Sequence, residues 1–165
     1  MPPDEFADVT AANAAYAKSF ALAGLEPRAA KGLAIVTCMD SRIEPLTMLG
    51  LQPGDAKILR NAGARVTDDV VRTLVLARYL LGVERVMVVA HTKCRMAGGT
   101  EEDVHIAIAA AGGPDTSELS FLVATDQLSE LRDDVARAQA SPYLKDTVIG
   151  GFLYDVDTGL VSRIC

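Results

Sequence analysis

Tryptophan is missing from this sequence altogether, and only four Phe and four Tyr occur in 165 residues. With half of the residues hydrophobic, the core must therefore be aliphatic, made of Val, Leu, Ile and Ala. No apolar run approaches the ~20 residues of a membrane span, so no membrane partner is expected. The opening Met1-Pro2-Pro3-Asp4-Glu5-Phe6 has neither the basic n-region nor the apolar h-region of a secretory signal. A basic stripe is lacking too, and the formal charge of -6 excludes a phosphate-tracking surface and hence nucleic acid. Three cysteines are an odd number for a disulfide framework and show no secreted-type spacing. The expectation is a soluble protein of a reducing compartment, the cytoplasm. With no repeat, low-complexity tract or dividing linker, residues 1–165 read as a single domain.

What is present alternates strand-like and helix-like stretches. The first 23 residues form an Ala-rich N-terminal helical arm. Phe6, Val9, Ala12, Tyr16 and Phe20 lie at near-helical spacing between Asp4 and Ala23, ahead of a Gly24–Pro27 break. Gly32 to Thr37 is a short continuous apolar run, as expected of a strand buried on both faces. Ala56 to Leu59 is a weaker strand after a Pro53-Gly54 turn. Thr67 caps a helix carrying Val70, Leu74, Ala77 and Leu81, which Gly82 stops. Arg85 to Ala90 is the clearest buried strand. Helical patterns run from Glu101 to Ala111 and from Ser117 to Ala140. Val148 to Tyr154 is a late strand, and Leu160 to Ile164 an edge strand after Asp157-Thr158-Gly159. Such alternation implies an α/β fold with a mostly parallel sheet and right-handed crossovers. In open parallel sheets, ligands sit at the carboxyl ends of strands. The first strand leads into Cys38, and the strand Arg85–Ala90 into His91.

Two short segments after those strands hold nearly all the soft metal ligands: Cys38-Met39-Asp40-Ser41-Arg42 and His91-Thr92-Lys93-Cys94. If the strands are neighbours, two thiolates and one imidazole converge. Two Cys and one His make a reasonable catalytic zinc set with a fourth position open, Asp40 being the nearby candidate for it. Cys38 as an inert buried hydrophobe, with His91 as a hydrogen-bonded core residue, is the other reading of the same spacing.

Cys38-x-Asp40-x-Arg42 followed by His91-x-x-Cys94 resembles the signature of the β-class carbonic anhydrases. Arg60-Asn61-Ala62-Gly63 is similar to the family's loop after the second strand. Gly151-Phe152 with Tyr154-Asp155 is similar to its C-terminal strand. The resemblance implies strand order 2-1-3-4 with an N-terminal helix packed on a partner subunit, in a homodimer or multiple of dimers. It makes Cys38, His91 and Cys94 ligands of Zn²⁺, and Asp40 and Arg42 the catalytic dyad. Asp40 either pairs with Arg42 or occupies the fourth zinc position. The implied reaction is reversible hydration of CO₂ to bicarbonate, rising on the alkaline side of neutral because two thiolates offset the metal's charge. Hydrolysis of carbonyl sulfide or carbon disulfide, and zinc holding or bicarbonate sensing without turnover, are the alternatives.

The sequence departs from the family at Arg95, where a Gly commonly follows the ligand Cys. A cation there could disturb a tight turn or bind an anion. Ser41 is expected to cap a following helix, and Asn61 and Gly63 to shape the loop near the dyad. His105 is expected to be structural, Glu101-Glu102-Asp103 a solvated helix start, and Cys165 a frayed free thiol. A cysteine phosphatase is excluded because the residue six after Cys94 is Thr100 rather than Arg. The Gly-x4-Gly-Lys of a P-loop and the Rossmann glycines are missing as well.

Overall fold

The computed structural model describes residues 4–165, and a five-stranded sheet runs through its middle. In chain order the elements are α1 (Ala7–Ala17), β1 (Leu33–Cys38), β2 (Ala56–Asn61), α2 (Asp68–Leu80), β3 (Arg85–His91), α3 (Glu101–Ala110), α4 (Gln127–Ala140), β4 (Val148–Tyr154) and β5 (Val161–Arg163). The strand order is β2-β1-β3-β4-β5. Pairing is parallel up to β4 and antiparallel between β4 and β5. This is the α/β architecture expected, antiparallel edge included.

The apolar run of β1 follows from its place between β2 and β3: all six of its residues are buried. Alternation then divides the core in two. Ala34, Val36, Val86, Val88 and Ala90 pack against Val70, Leu74 and Ala77 of α2 and Leu131, Val135 and Ala138 of α4. Each fully buried Val or Leu contributes about 1.5–3 kcal/mol there. Leu33, Ile35 and Val89 point the other way, towards Met48, Leu49, Leu51, Ile58, Met87 and Phe152. Thr67 caps α2 as expected, its hydroxyl accepting from the Val70 N–H.

Several expectations needed correction. The N-terminal helix covers only Ala7–Ala17, and none of its residues is buried. A short helix that packs on nothing gains little beyond propensity, so its last turn tightens and stops. Residues 1–3 of the expected arm lie outside the described residues. The long helix expected from Ser117 starts only at Gln127, where the Asp126 carboxylate accepts from Leu128 and Ser129 N–H. Upstream, the Glu101 carboxylate takes the N–H groups of Phe121 and Val123, both at 2.9 Å. Ala124 bridges to Ala97. These bonds fix a non-helical path, with Leu122 in the left-handed region at φ +56°, so Glu101 is an anchor and not only a solvated helix start. Thr100 and Asp103 form a capping box at the head of α3.

Ser41 caps nothing. Asp40 takes the turn instead, its carboxylate accepting the Arg42 N–H at 2.9 Å and its carbonyl the Ile43 N–H at 3.0 Å. Pro45 keeps a helix from starting before the 3-10 turn Thr47–Leu49. Cys165 is not frayed: its carbonyl accepts from Gly151 N–H at 3.0 Å and its sulfur rests against Gly151, where a Cβ would stand only 2.6 Å away. Among the described residues no helix is long and apolar enough to cross a membrane.

Candidate metal centre

Register makes the site. β1 and β3 are adjacent and parallel, with Thr37 opposite Val89, so Cys38 and His91 both emerge at the carboxyl edge of the sheet. Lys93 adopts a left-handed backbone, φ +56°, which bends the loop after β3 sharply. That bend returns Cys94 to the same point. The sulfurs of Cys38 and Cys94 lie 3.9 Å apart, and the three donor atoms of Cys38, His91 and Cys94 lie within 4.8 Å of one another. Tetrahedral zinc with Zn–S bonds of ~2.3 Å places two sulfurs about 3.8 Å apart. The donor set fits such an ion.

His91 supplies the sharper sign. Its side chain is fully buried, and Nε2 has no hydrogen-bond partner among the described residues. Nδ1 faces the Thr92 carbonyl at 2.9 Å. The proton therefore belongs on Nδ1, leaving the Nε2 lone pair aimed into the cluster. An unpaired buried polar atom is costly, and a metal ligand bond removes that cost.

The thiols divide one proton between them. The hydrogen bond from Cys94 drives Cys38 down to about 3, against the opposing effect of burial, with the Gly63 N–H at 3.4 Å helping. The same contact, reinforced by burial, drives Cys94 upwards. Burial draws His91 down, but the Cys38 thiolate, the Thr92 carbonyl and Asp40 together outweigh it and the net shift is upward. A site that gathers this much negative charge suits a cation.

Asp40 and Arg42 stand beside the cluster as a fork. Arg42 Nε donates to Oδ1 at 2.9 Å and Nη2 to Oδ2 at 2.7 Å. Nη2 also reaches the Lys93 carbonyl at 3.1 Å, joining the two loops. The Arg42 guanidinium holds the Asp40 carboxyl well below the usual carboxylate range. Asp40 Oδ2 lies 3.8 Å from His91 Nε2. The carboxylate is thus ionised, oriented and within reach of the donor cluster.

Three further residues support the site. Arg60 clamps the loop after β1, donating to the carbonyls of Cys38 at 2.9 Å and Asp40 at 2.7 Å. Gln127 donates to the His91 carbonyl at 3.0 Å. Arg65 lies in a buried ion cluster with Asp134 and Glu130. Arg60 belonged to a quoted motif, but nothing in the sequence showed where Gln127 would point. Asn61 shapes its loop as expected, bonding both the N–H and the carbonyl of Arg65. His105 is structural, with Nδ1 on the Thr116 hydroxyl at 2.8 Å and its ring against Phe121. Arg95 is exposed and has no left-handed backbone. The turn that could have demanded a glycine is made by Lys93 and Gly98, so Arg95 strains nothing.

Residues 33–111 match the family model described as carbonic anhydrase. The β-carbonic anhydrase 1 of Mycobacterium tuberculosis is 36% identical over 160 residues, covering 95% of this chain and 96% of the relative. The crystal structure of carbonic anhydrase from Streptococcus mutans superposes with a TM-score of 0.90 at 39% identity, over all of both chains. A carbon disulfide hydrolase of Acidianus sp. is 46% identical over 70 residues, 42% of this chain and 34% of that protein. A relative this similar along almost its entire length, with a solved carbonic anhydrase superposing over the whole chain, settles the assignment: this chain belongs to the β-carbonic anhydrase family.

Proposed function

We propose that the protein catalyses the reversible hydration of carbon dioxide to bicarbonate and a proton, with Cys38, His91 and Cys94 holding zinc. The observation that carries this is the orphaned Nε2 of His91 facing two thiols 3.9 Å apart, beside a carboxylate fixed by Arg42. Zinc bound there supplies a Lewis acid that makes water nucleophilic near neutral pH, less strongly than on three imidazoles because two thiolates offset its charge.

The chain's own residues do the rest. Asp40, ionised and held by the Arg42 fork, accepts a hydrogen bond from the attacking water and turns its lone pair towards CO₂. Arg42 keeps Asp40 from competing for the metal: its two N–H groups occupy the same oxygens a fourth ligand bond would use. Release of that fork would free the Asp40 carboxylate to act as a further metal ligand, which would stop turnover.

The surface supports a homodimer. α1 buries nothing and leaves Phe6, Val9 and Tyr16 exposed, and the face of the sheet around Leu33, Met87 and Phe152 carries an apolar groove. That groove is where α1 of a second copy would dock. Three unpaired cysteines suit a reducing, cytoplasmic setting.

Carbon disulfide or carbonyl sulfide is the second reading, supported by the local likeness to carbon disulfide hydrolase. Stopped-flow CO₂ hydration, run in parallel with sulfide release from both sulfur compounds, tests the choice. Fast hydration with little sulfide is expected; sulfide release with no hydration would overturn the assignment.

A further inference from the structure

One face of α4 reaches both halves of the donor set. Gln127, Glu130, Leu131 and Asp134 recur at i, i+3, i+4 and i+7, so they share a side of the helix. At its head, Gln127 Nε2 holds the His91 carbonyl where β3 ends. Two turns on, the buried Asp134 accepts from Arg65 Nε at 2.6 Å. Glu130 takes Nη2 of the same guanidinium at 2.7 Å, and the Leu122 carbonyl takes Nη1 at 2.8 Å.

Arg65 closes the loop that touches Cys38. Its N–H donates to Asn61 Oδ1 at 2.9 Å and its carbonyl accepts from Asn61 Nδ2 at 2.8 Å. Between them Gly63 and Ala64 both have left-handed backbone, at φ +80° and +60°. Glycine takes this freely and alanine does not, so the conformation persists only when its surroundings hold it. In this conformation the Gly63 N–H points at Cys38 Sγ, 3.4 Å away.

We propose that α4 positions the metal-binding donors: Asp134, by fixing Arg65, holds the strained loop whose Gly63 N–H orients the Cys38 sulfur, while Gln127 fixes His91. The inference rests on the reading of Cys38, His91 and Cys94 as metal ligands. An N–H donated to a thiolate steadies both its charge and its direction, and loss of such outer partners typically costs about 10–100-fold in metal affinity.

The test compares the full-length protein with Asp134→Asn, Gln127→Met and Val135→Ala. Val135 is buried in the core on the same helix and controls for general loosening. Zinc loss to a chelator is timed, and thiolate-to-metal absorption is recorded on cobalt(II)-loaded samples. Asp134→Asn is expected to lose zinc about tenfold faster or more and to shift the cobalt bands. Val135→Ala is expected to keep both properties of the wild type. Gln127→Met leaves no buried charge unpaired and carries the test if Asp134→Asn does not fold. It is expected to lose zinc severalfold faster. Unchanged release and spectra in both polar variants would overturn the inference, as would an equal acceleration in Val135→Ala. A wild-type protein that binds neither metal would instead overturn the metal-site reading itself.

Discussion

The two loops that build the site are made in opposite ways. The loop after β3 buries Cys94, leaves Lys93 and Arg95 exposed, and is held largely by backbone: Thr92 N–H bonds the Tyr154 carbonyl at 2.9 Å, Ala97 N–H bonds the Cys94 carbonyl at 3.1 Å, and Lys93 supplies the bend. It contributes two donors and no charged group that faces the reaction. The loop after β1 contributes one donor, Cys38, and then opens to solvent at Asp40 and Arg42. Long side chains hold it, with Arg60 on two of its carbonyls and Arg42 on its carboxylate. The difference separates two jobs. On the proposed reading, one loop would only fix the metal, while the other would both fix it and carry an ionised group able to exchange partners.

Substitutions sort along that division. The largest effect is expected from the loop after β3: His91→Ala or Cys94→Ser should abolish both zinc content, measured by metal analysis, and turnover. Next comes Asp40→Asn in the other loop, which should retain zinc while the rate falls about 10²–10⁴-fold, the range of a lost proton-handling group. Arg42→Ala should also keep zinc and lose activity to a comparable extent, because it removes both fork bonds and frees Asp40 to compete for the metal. Loss of zinc in either dyad variant would erase the distinction between the loops.

A buttress of the β3 loop gives a subtler test. Glu101 anchors the segment that bonds back to Met96 and Gly98, and the backbone N–H of Phe121, then of Val123, lowers its carboxyl from the ordinary value. A carboxyl depressed in the folded state stabilises above its unfolded value of ~4.3 and ceases to do so as pH falls through the folded one. Thermal melts of Glu101→Gln should therefore fall below wild type at neutral pH and converge with it in acid. The smallest effect is expected from Arg95→Gly. Arg95 is exposed and its backbone is ordinary, so rate and zinc affinity should stay within about twofold of wild type.

Much of this was legible because strand ends are legible. The apolar runs before Cys38 and His91 located both loops, and adjacency of β1 and β3 followed from the family resemblance. What could not be read depends on contacts across long separations. The stretch 117–124 has a helical pattern, yet Glu101 claims two of its N–H groups and holds it on a non-helical path. Cys165 seemed frayed because β5 was only a weak signal, and its pairing with β4 carries the last residue onto the sheet. No local pattern marks Asp134, because its partner Arg65 lies 69 positions away. Local pattern finds donors that follow strands, but not the residues that hold them.

The most direct test is stopped-flow CO₂ hydration by zinc-loaded wild type and Asp40→Asn, at about pH 7 and about pH 8.5, with metal content measured on the same samples. The account predicts equal zinc in both, wild-type activity that rises at the higher pH, and an Asp40→Asn rate lower by at least about a hundredfold. Comparable rates in the two proteins, or no hydration by the zinc-loaded wild type at either pH, would contradict it.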